Sequence, residues 1–365
     1  NMSRKKILFI VPTLGLGGAE RVVSVLSDYL SKSHNVTVVT LSGNGSVYDT
    51  EATYVQLGTK IFNVKVMKFL TFISRIFLLR NLLLKRSPDI IISFMESANI
   101  PSIFAVLMLG RASSLIVSVR NNPLEFPWFY RFSIKLLYKI PYRVVAPSKG
   151  VAHGLEKLIL NKRKIDFIPN PIKLKYIQEM ALTPEKYSFN IPEIYILAVG
   201  SLSPQKGFDR LISIFSKIKI KNLHLIIIGE GGKREELQRL IHLHELEKRV
   251  IMPGTVKNPF YLYRNALCLT LTSRYEGWPN VINEAIACSC PVVSYNCKYG
   301  PSEILNQSNG FLIDEGDENG VIGAVNIIYS NKDERERVVN NGLKYVKNYS
   351  VDQIAKQWLA IKGIS

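Results

Sequence analysis

The apolar run Cys268 to Leu271 stops at a Gly/Pro turn, and from Pro279 apolar residues return at helical spacing, at Val281, Ile282, Ala285 and Ile286. This is a strand, a tight turn and a helix. The same unit recurs along the chain. Apolar runs at Ile7 to Val11, Val36 to Leu41, Asp89 to Phe94, Ser114 to Val119, Arg143 to Pro147 and Asp166 to Pro169 alternate with helical patterns. After Asn170-Pro171 a polar, irregular stretch extends to Pro192, and a second cycle then runs through Ile194 to Val199, His224 to Ile228, Val250 to Met252, Cys268 to Leu271 and Pro291 to Tyr295. Strands alternating with helices predict parallel sheets covered on both faces, and two cycles predict two α/β, Rossmann-like halves. Ligands of such sheets sit beyond the carboxyl ends of the strands, so the loops after Val11, Val199, Ile228 and Leu271 are expected to face a common cleft.

These loops have a chemistry of their own. The first N–H groups of a helix have no internal partner and lie at the positive end of its dipole, so a turn that opens a helix can hold an anion. Gly277 permits close backbone approach, while Glu276 and Glu284 point to different parts of one bound molecule. One carboxylate can take hydrogen bonds from a sugar and the other from a ribose. Glycine-rich loops also open helices at Pro12 to Glu20, with Gly17 and Gly18, and at Gly200 to Phe208, with Lys206. Further turns fall at Gly229 to Gly232 and Pro253 to Val256. Taken singly, any of them can serve merely to turn the chain.

Together they resemble a known family. Glu276 and Glu284, separated by seven residues in an E-G-x-P-N-x-x-x-E frame, are similar to the donor-site motif of retaining GT-B glycosyltransferases of the GT4 type. The resemblance implies two Rossmann-like domains with a cleft between them: 1–172 for the acceptor, 173–350 for the nucleotide sugar, and a last helix in 351–365 packing back on the first. It implies Glu284 on the ribose hydroxyls, Glu276 beside the reacting sugar, and backbone N–H groups of the segment running from Gly277 through Trp278 and Pro279 to Asn280 on sugar and phosphate. Lys206 would meet the diphosphate as a point charge, with Gly17, Gly18, Gly200 and Gly229 lining the donor and Gly254 to Val256 beside the base. Ser201 stands where the family usually has arginine, so that role is not carried over. Where many members have a histidine this chain reads Ser118-Val119-Arg120-Asn121-Asn122-Pro123. Arg120 and Asn121 are expected to fill that space and bind donor sugar or leaving phosphate, the alternative being that Arg120 simply ends a strand. Arginine is no general base at neutral pH.

The net charge of +18 is unevenly divided: residues 1–170 hold 23 Lys/Arg against 9 Asp/Glu, and the remainder 24 against 20. The N-terminal half therefore meets an anionic partner. Phe62 to Arg86 mixes bulky apolar residues with Lys65, Lys68, Arg75, Arg80, Lys85 and Arg86, and Phe126 to Arg143 repeats the aromatic-plus-basic theme. At about 100° per residue Lys68, Thr71, Arg75 and Arg86 share one edge of a helix. Such a helix lies in an anionic membrane interface, or is a core helix whose charges reach water.

No apolar stretch reaches the roughly 18 residues of a membrane span, and Ile7 to Val11 is too short for a signal-peptide core. Cys268, Cys288, Cys290 and Cys297 include no C-x-x-C pair and suit a reduced cytoplasmic protein. His242 and His244 lack a zinc frame and read as surface residues. No D-x-D ends a strand, and Asp314-Glu315-Gly316-Asp317 has the wrong spacing, so no metal or other cofactor is expected.

The expectation is a metal-independent, retaining hexosyltransferase using a nucleotide sugar, with UDP as the expected nucleotide. Its acceptor would be an undecaprenyl-diphosphate-linked saccharide of O-antigen, capsule or a related glycan, reached from the cytoplasmic face of the inner membrane. A nucleotide-sugar epimerase of the same architecture, and a membrane-binding module with a degenerate nucleotide site, are the alternatives. No RNA-binding motif is present, and nucleic acid is not an expected partner.

Overall fold

Isoleucine, valine and leucine crowd the apolar runs, and side chains of that shape suit a pleated, buried surface. In the computed structural model, which describes residues 4–15, 17–43, 50–59, 65–159 and 162–363, these runs are strands of two wholly parallel sheets. The chain divides into two compact units, residues 1–171 with 351–365, and residues 172–350.

The first unit contains β1 (Lys6–Val11), β2 (Asn35–Thr40), β3 (Thr53–Gln56), β4 (Ile90–Phe94), β5 (Leu115–Ser118), β6 (Arg143–Ala146) and β7 (Ile165–Phe167), ordered β3-β2-β1-β4-β5-β6-β7. The strand β3 carries no apolar run that would mark it in the sequence, because it is largely exposed at the sheet edge. β1 pairs with β2 on one side and β4 on the other, and the chain reverses its direction of winding there. That point is where an open parallel sheet leaves a crevice beyond its carboxyl edge. The helix Val351–Ala360 belongs to this unit, with Trp358 fully buried 5.6 Å from the Phe94 ring and Tyr29 donating to Asp352.

The second unit contains β8 (Ile194–Val199), β9 (Leu223–Ile228), β10 (Val250–Gly254), β11 (Cys268–Leu271), β12 (Val292–Tyr295) and β13 (Phe311–Ile313), ordered β10-β9-β8-β11-β12-β13. Its crevice lies between β8 and β11, which pair directly. Apolar clusters cover both faces of this sheet, one built on Phe208, Leu211 and Phe215, the other on Trp278, Ile282 and Ile286. The stretch from 172 to 192 is not irregular throughout, as its polarity suggested. It holds the helix Leu174–Ala181, which buries only Ile177 and Ala181 and so leaves a weak apolar signal.

The basic helix spans Lys65–Arg86; Phe62 to Val64, with Leu16 of the first glycine loop, lie outside the described residues. Leu79 and Leu83 are buried, while Val66, Phe69, Leu70, Phe77 and Leu84 are exposed. No helix among the described residues is long and apolar enough to cross a membrane.

Candidate functional site

In the second unit the loops after β8 and β11 flank the crevice and are tied together. Thr272 donates to the Gly207 carbonyl at 2.9 Å, the Arg274 N–H to the Gln205 carbonyl at 2.8 Å, and the Gln205 amide to the Tyr275 carbonyl at 3.1 Å. Arg274 makes a bidentate pair with Asp209 at 2.9 and 2.6 Å, and this pair holds the Asp209 carboxyl below its usual range. Gly207 has φ +64°, and a Cβ there would stand 2.1 Å from the Thr272 carbonyl oxygen. Only glycine allows that closeness.

This scaffold brings Lys206 and Glu276 together. Lys206 Nζ lies 2.7 Å from Glu276 Oε1, and the Ser273 hydroxyl donates to the same oxygen at 2.6 Å. Glu276 is buried, so its charge is held by a cation and a hydroxyl rather than by water. Gly200 is where the lysine stem passes: a Cβ there would meet the Lys206 methylenes at 3.2 to 3.3 Å. Burial, then the nearby Glu276 charge, pushes the Cys297 thiol up to about 12.

The helix that follows the turn is Asn280–Ala287, and Pro279 stands at its cap position rather than inside its first turn. Trp278, Pro279 and Gly277 are buried and Asn280 half-buried. Glu284, in the second turn, is buried and accepts from the Tyr263 hydroxyl at 3.3 Å. Gly229 follows β9, and a Cβ there would stand 1.9 Å from the Gly200 carbonyl oxygen, so these two turns are in backbone contact. Gly254 closes β10 buried, with Val256 half-buried beyond it. Ser201 is exposed and its hydroxyl shares a hydrogen bond with Ser203 at 3.1 Å. Sequence reasoning missed Ser273, Asp209, Gln205 and Tyr263. Ser273, three residues before Glu276, was the one with a local signal.

The acidic segment after β13 has structural work. Glu315 pairs with Arg210 at 2.9 Å, and Asp317 caps the helix Glu318–Ser330 through the Gly320 N–H at 2.8 Å. The four cysteines are free thiols and buried, and His242 is exposed and pairs with Glu247.

In the first unit Gly17 and Gly18 are exposed at the start of the helix Gly18–Ser31, where burial pushes the Glu20 carboxyl up and Thr13 donates to it at 3.3 Å. Arg120 is half-buried, stacks over the Phe94 ring at 5.4 Å, and donates to Ser118 at 3.0 Å and to Asn170. Burial pushes its guanidinium down to about 10, which leaves it charged at neutral pH. Asn121 is exposed. Lys68 is exposed too, but Arg75 turns inward: its Nε donates to Thr59 at 3.0 Å, and Thr71 bonds the Met67 carbonyl. The expected basic edge Lys68-Thr71-Arg75-Arg86 is therefore broken at Arg75, because a long side chain can reach a buried partner from the flank of a helix.

Residues 16–176 match the model described as Glycosyltransferase Family 4, and residues 181–345 the model described as Glycosyl transferases group 1. The chain is 30% identical over 327 residues to an uncharacterised glycosyltransferase of Methanocaldococcus jannaschii, covering 76% of this chain and 80% of that protein. The chain belongs to the GT-B glycosyltransferases. This glycosyltransferase is also 26% identical, over 98% of both chains, to the GalNAc-alpha-(1->4)-GalNAc-alpha-(1->3)-diNAcBac-PP-undecaprenol alpha-1,4-N-acetyl-D-galactosaminyltransferase of Campylobacter jejuni. Among solved structures, the Anabaena HepE protein in complex with UDP and glucose superimposes with a TM-score of 0.82 at 18% identity, over 98% of this chain and 99% of that one.

Proposed function

We propose that this glycosyltransferase moves a hexose or N-acetylhexosamine from a UDP-sugar to a lipid-diphosphate-linked saccharide in bacterial surface polysaccharide assembly, with retention and without a metal. The observation that carries the donor half is the Ser273–Glu276–Lys206 cluster beside the start of the helix Asn280–Ala287. A lysine held at a helix start offers positive charge to a departing nucleoside diphosphate, so Lys206 and the helix dipole take the place of a divalent ion. Glu276 orients the donor sugar, Glu284 takes the ribose hydroxyls, and Gly277 to Asn280 supply the surrounding backbone. The leaving phosphate takes the proton of the incoming acceptor hydroxyl on the same face of the sugar.

The acceptor half is supported by the name of the Campylobacter relative, whose substrate is a PP-undecaprenol saccharide, and the nucleotide by the UDP bound to the Anabaena protein. Exposed Phe69, Leu70, Trp128 and Phe132 beside Lys68, Lys85, Arg86 and Arg131 suit an anionic membrane surface on the cytoplasmic side. Arg120 and Asn121 bind the donor sugar or leaving phosphate.

The test is UDP release and label transfer with a panel of UDP-sugars, with and without bacterial lipid extract. Lipid-dependent release with one donor, lost in Glu284→Ala, is expected. Transfer to soluble saccharides alone would sink the lipid-linked reading.

A further inference from the structure

β4 ends at Phe94, and the next residue, Met95, has φ +74°, a left-handed conformation that a methionine rarely adopts. The turn it makes sets Glu96 as the first residue of the helix Glu96–Met108, at the crevice between β1 and β4. Glu96 is only 9% exposed, and its Oε1 has no hydrogen-bond partner among the described residues. One turn along the same helix, Asn99 is fully buried; its amide donates to the Ser118 carbonyl and the Tyr138 hydroxyl, both at 3.0 Å, while its Oδ1 also lacks a partner among the described residues. Two hydrogen-bond acceptors three residues apart on a helix share a face. Buried acceptors without donors are rare and costly, and one that a strained turn sets at the carboxyl end of β4, where the sheet changes its direction of winding, is the kind of expense a binding site retains.

The groups that face Glu96 narrow the missing donor. Arg120 lies within electrostatic reach from the loop after β5, as do the phenols of Tyr130 and Tyr138 on and just beyond the helix Trp128–Leu137, with Arg75 reaching Tyr130 from the basic helix. The cationic surroundings disfavour an ammonium ligand, and a neutral O–H donor satisfies the carboxylate without adding charge. Burial pushes the Glu96 carboxyl up to about 7, as expected of an acceptor that awaits its donor.

We propose that Glu96 binds the acceptor saccharide, its Oε1 taking the hydrogen bond of an acceptor hydroxyl at the switch point of the N-terminal sheet. This rests on the transferase reading above. It does not rest on the acceptor being lipid-linked, because the recognised group is a sugar hydroxyl. Glu96 is in this reading a binding residue; no proton transfer to it is invoked.

The experiment compares wild type, Glu96→Gln and Glu96→Asp by steady-state transfer at varied acceptor, with UDP binding followed by calorimetry. A hydrogen bond to a charged group predicts a fall in kcat/KM for the acceptor of about 10- to 100-fold in Glu96→Gln, with UDP affinity unchanged and partial recovery in Glu96→Asp. Equal acceptor kcat/KM in wild type and Glu96→Gln would overturn the proposal. It would mean that Glu96 is a neutral buried acid whose partner is Asn99, a role glutamine fills. Wild-type transfer only to soluble saccharides sinks the lipid-linked reading, and the same ratio on that acceptor then judges Glu96. Absence of UDP release with any acceptor overturns both.

Discussion

The two units place carboxylates at the same point of the same topology and treat them in opposite ways. In the C-terminal unit Glu276 stands in the loop after β11, at the crevice with β8, and its Oε1 is bound by Lys206 and Ser273. In the N-terminal unit Glu96 follows β4, at the crevice with β1, and its Oε1 has no hydrogen-bond partner among the described residues. A buried charge that is paired in advance costs no reorganisation when a ligand arrives, which suits the diphosphate site proposed for it. A buried acceptor left open is unstable until its donor comes. The difference teaches that one frame can be preorganised on one side and held unsatisfied on the other.

The largest expected effect comes from breaking the paired side. Lys206→Met keeps the stem beside Gly200 but leaves Glu276 buried without its cation, and kcat is expected to fall by about 100- to 1,000-fold. Transfer assays at saturating donor check this, with circular dichroism to show that the fold survives. Gly207→Ala attacks the same cluster through the backbone: strain at φ +64° and the clash with the Thr272 carbonyl should cost about 2 kcal/mol or more, read as a lowered urea midpoint.

The open side predicts a stability curve of unusual sign. With its carboxyl raised from 4.5 to about 7, Glu96 favours folding fully below the unfolded value, and that contribution is lost as pH rises toward 7. Its size is on the order of 3 kcal/mol. Arg120, about 10, and the raised phenols of Tyr130 and Tyr138 do not titrate in this window. Glu96→Gln should therefore flatten the curve between pH 4.5 and 7, and urea melts across that range check it. An unchanged slope would remove the contrast between the units.

Smaller effects test the surroundings. Asp209→Asn weakens the partly exposed pair with Arg274 and should cost about 1 kcal/mol at most, with a larger effect on donor KM than on the melt. Lys85→Glu with Arg86→Glu should lower binding to anionic vesicles by roughly 1 kcal/mol per charge removed, an effect that fades at high salt and is measured by co-sedimentation.

Much of this was readable in advance. Ile194–Val199 and Cys268–Leu271 were legible to the residue, because central parallel strands are continuous apolar runs. The edge strand Thr53–Gln56 and the helix Leu174–Ala181 were not, since neither buries enough to mark its period. Glu276 and Glu284 were visible as a spaced pair. Glu96 was not, because a lone glutamate after a strand looks like any solvated helix start.

The amino-acid sequence by itself determined the alternation of strand and helix, the glycine turns and the family, since these depend on local periodicity and on backbone freedom. Only the tertiary structure decided which charges are paired. Lys206 and Glu276 are seventy positions apart and meet because β8 and β11 are neighbours. Arg75 left its expected surface edge for Thr59, and Glu96, first residue of its helix, is buried within electrostatic reach of Arg120, Tyr130 and Tyr138. Burial and pairing are properties of what surrounds a side chain, and strand order, not residue type, sets those surroundings.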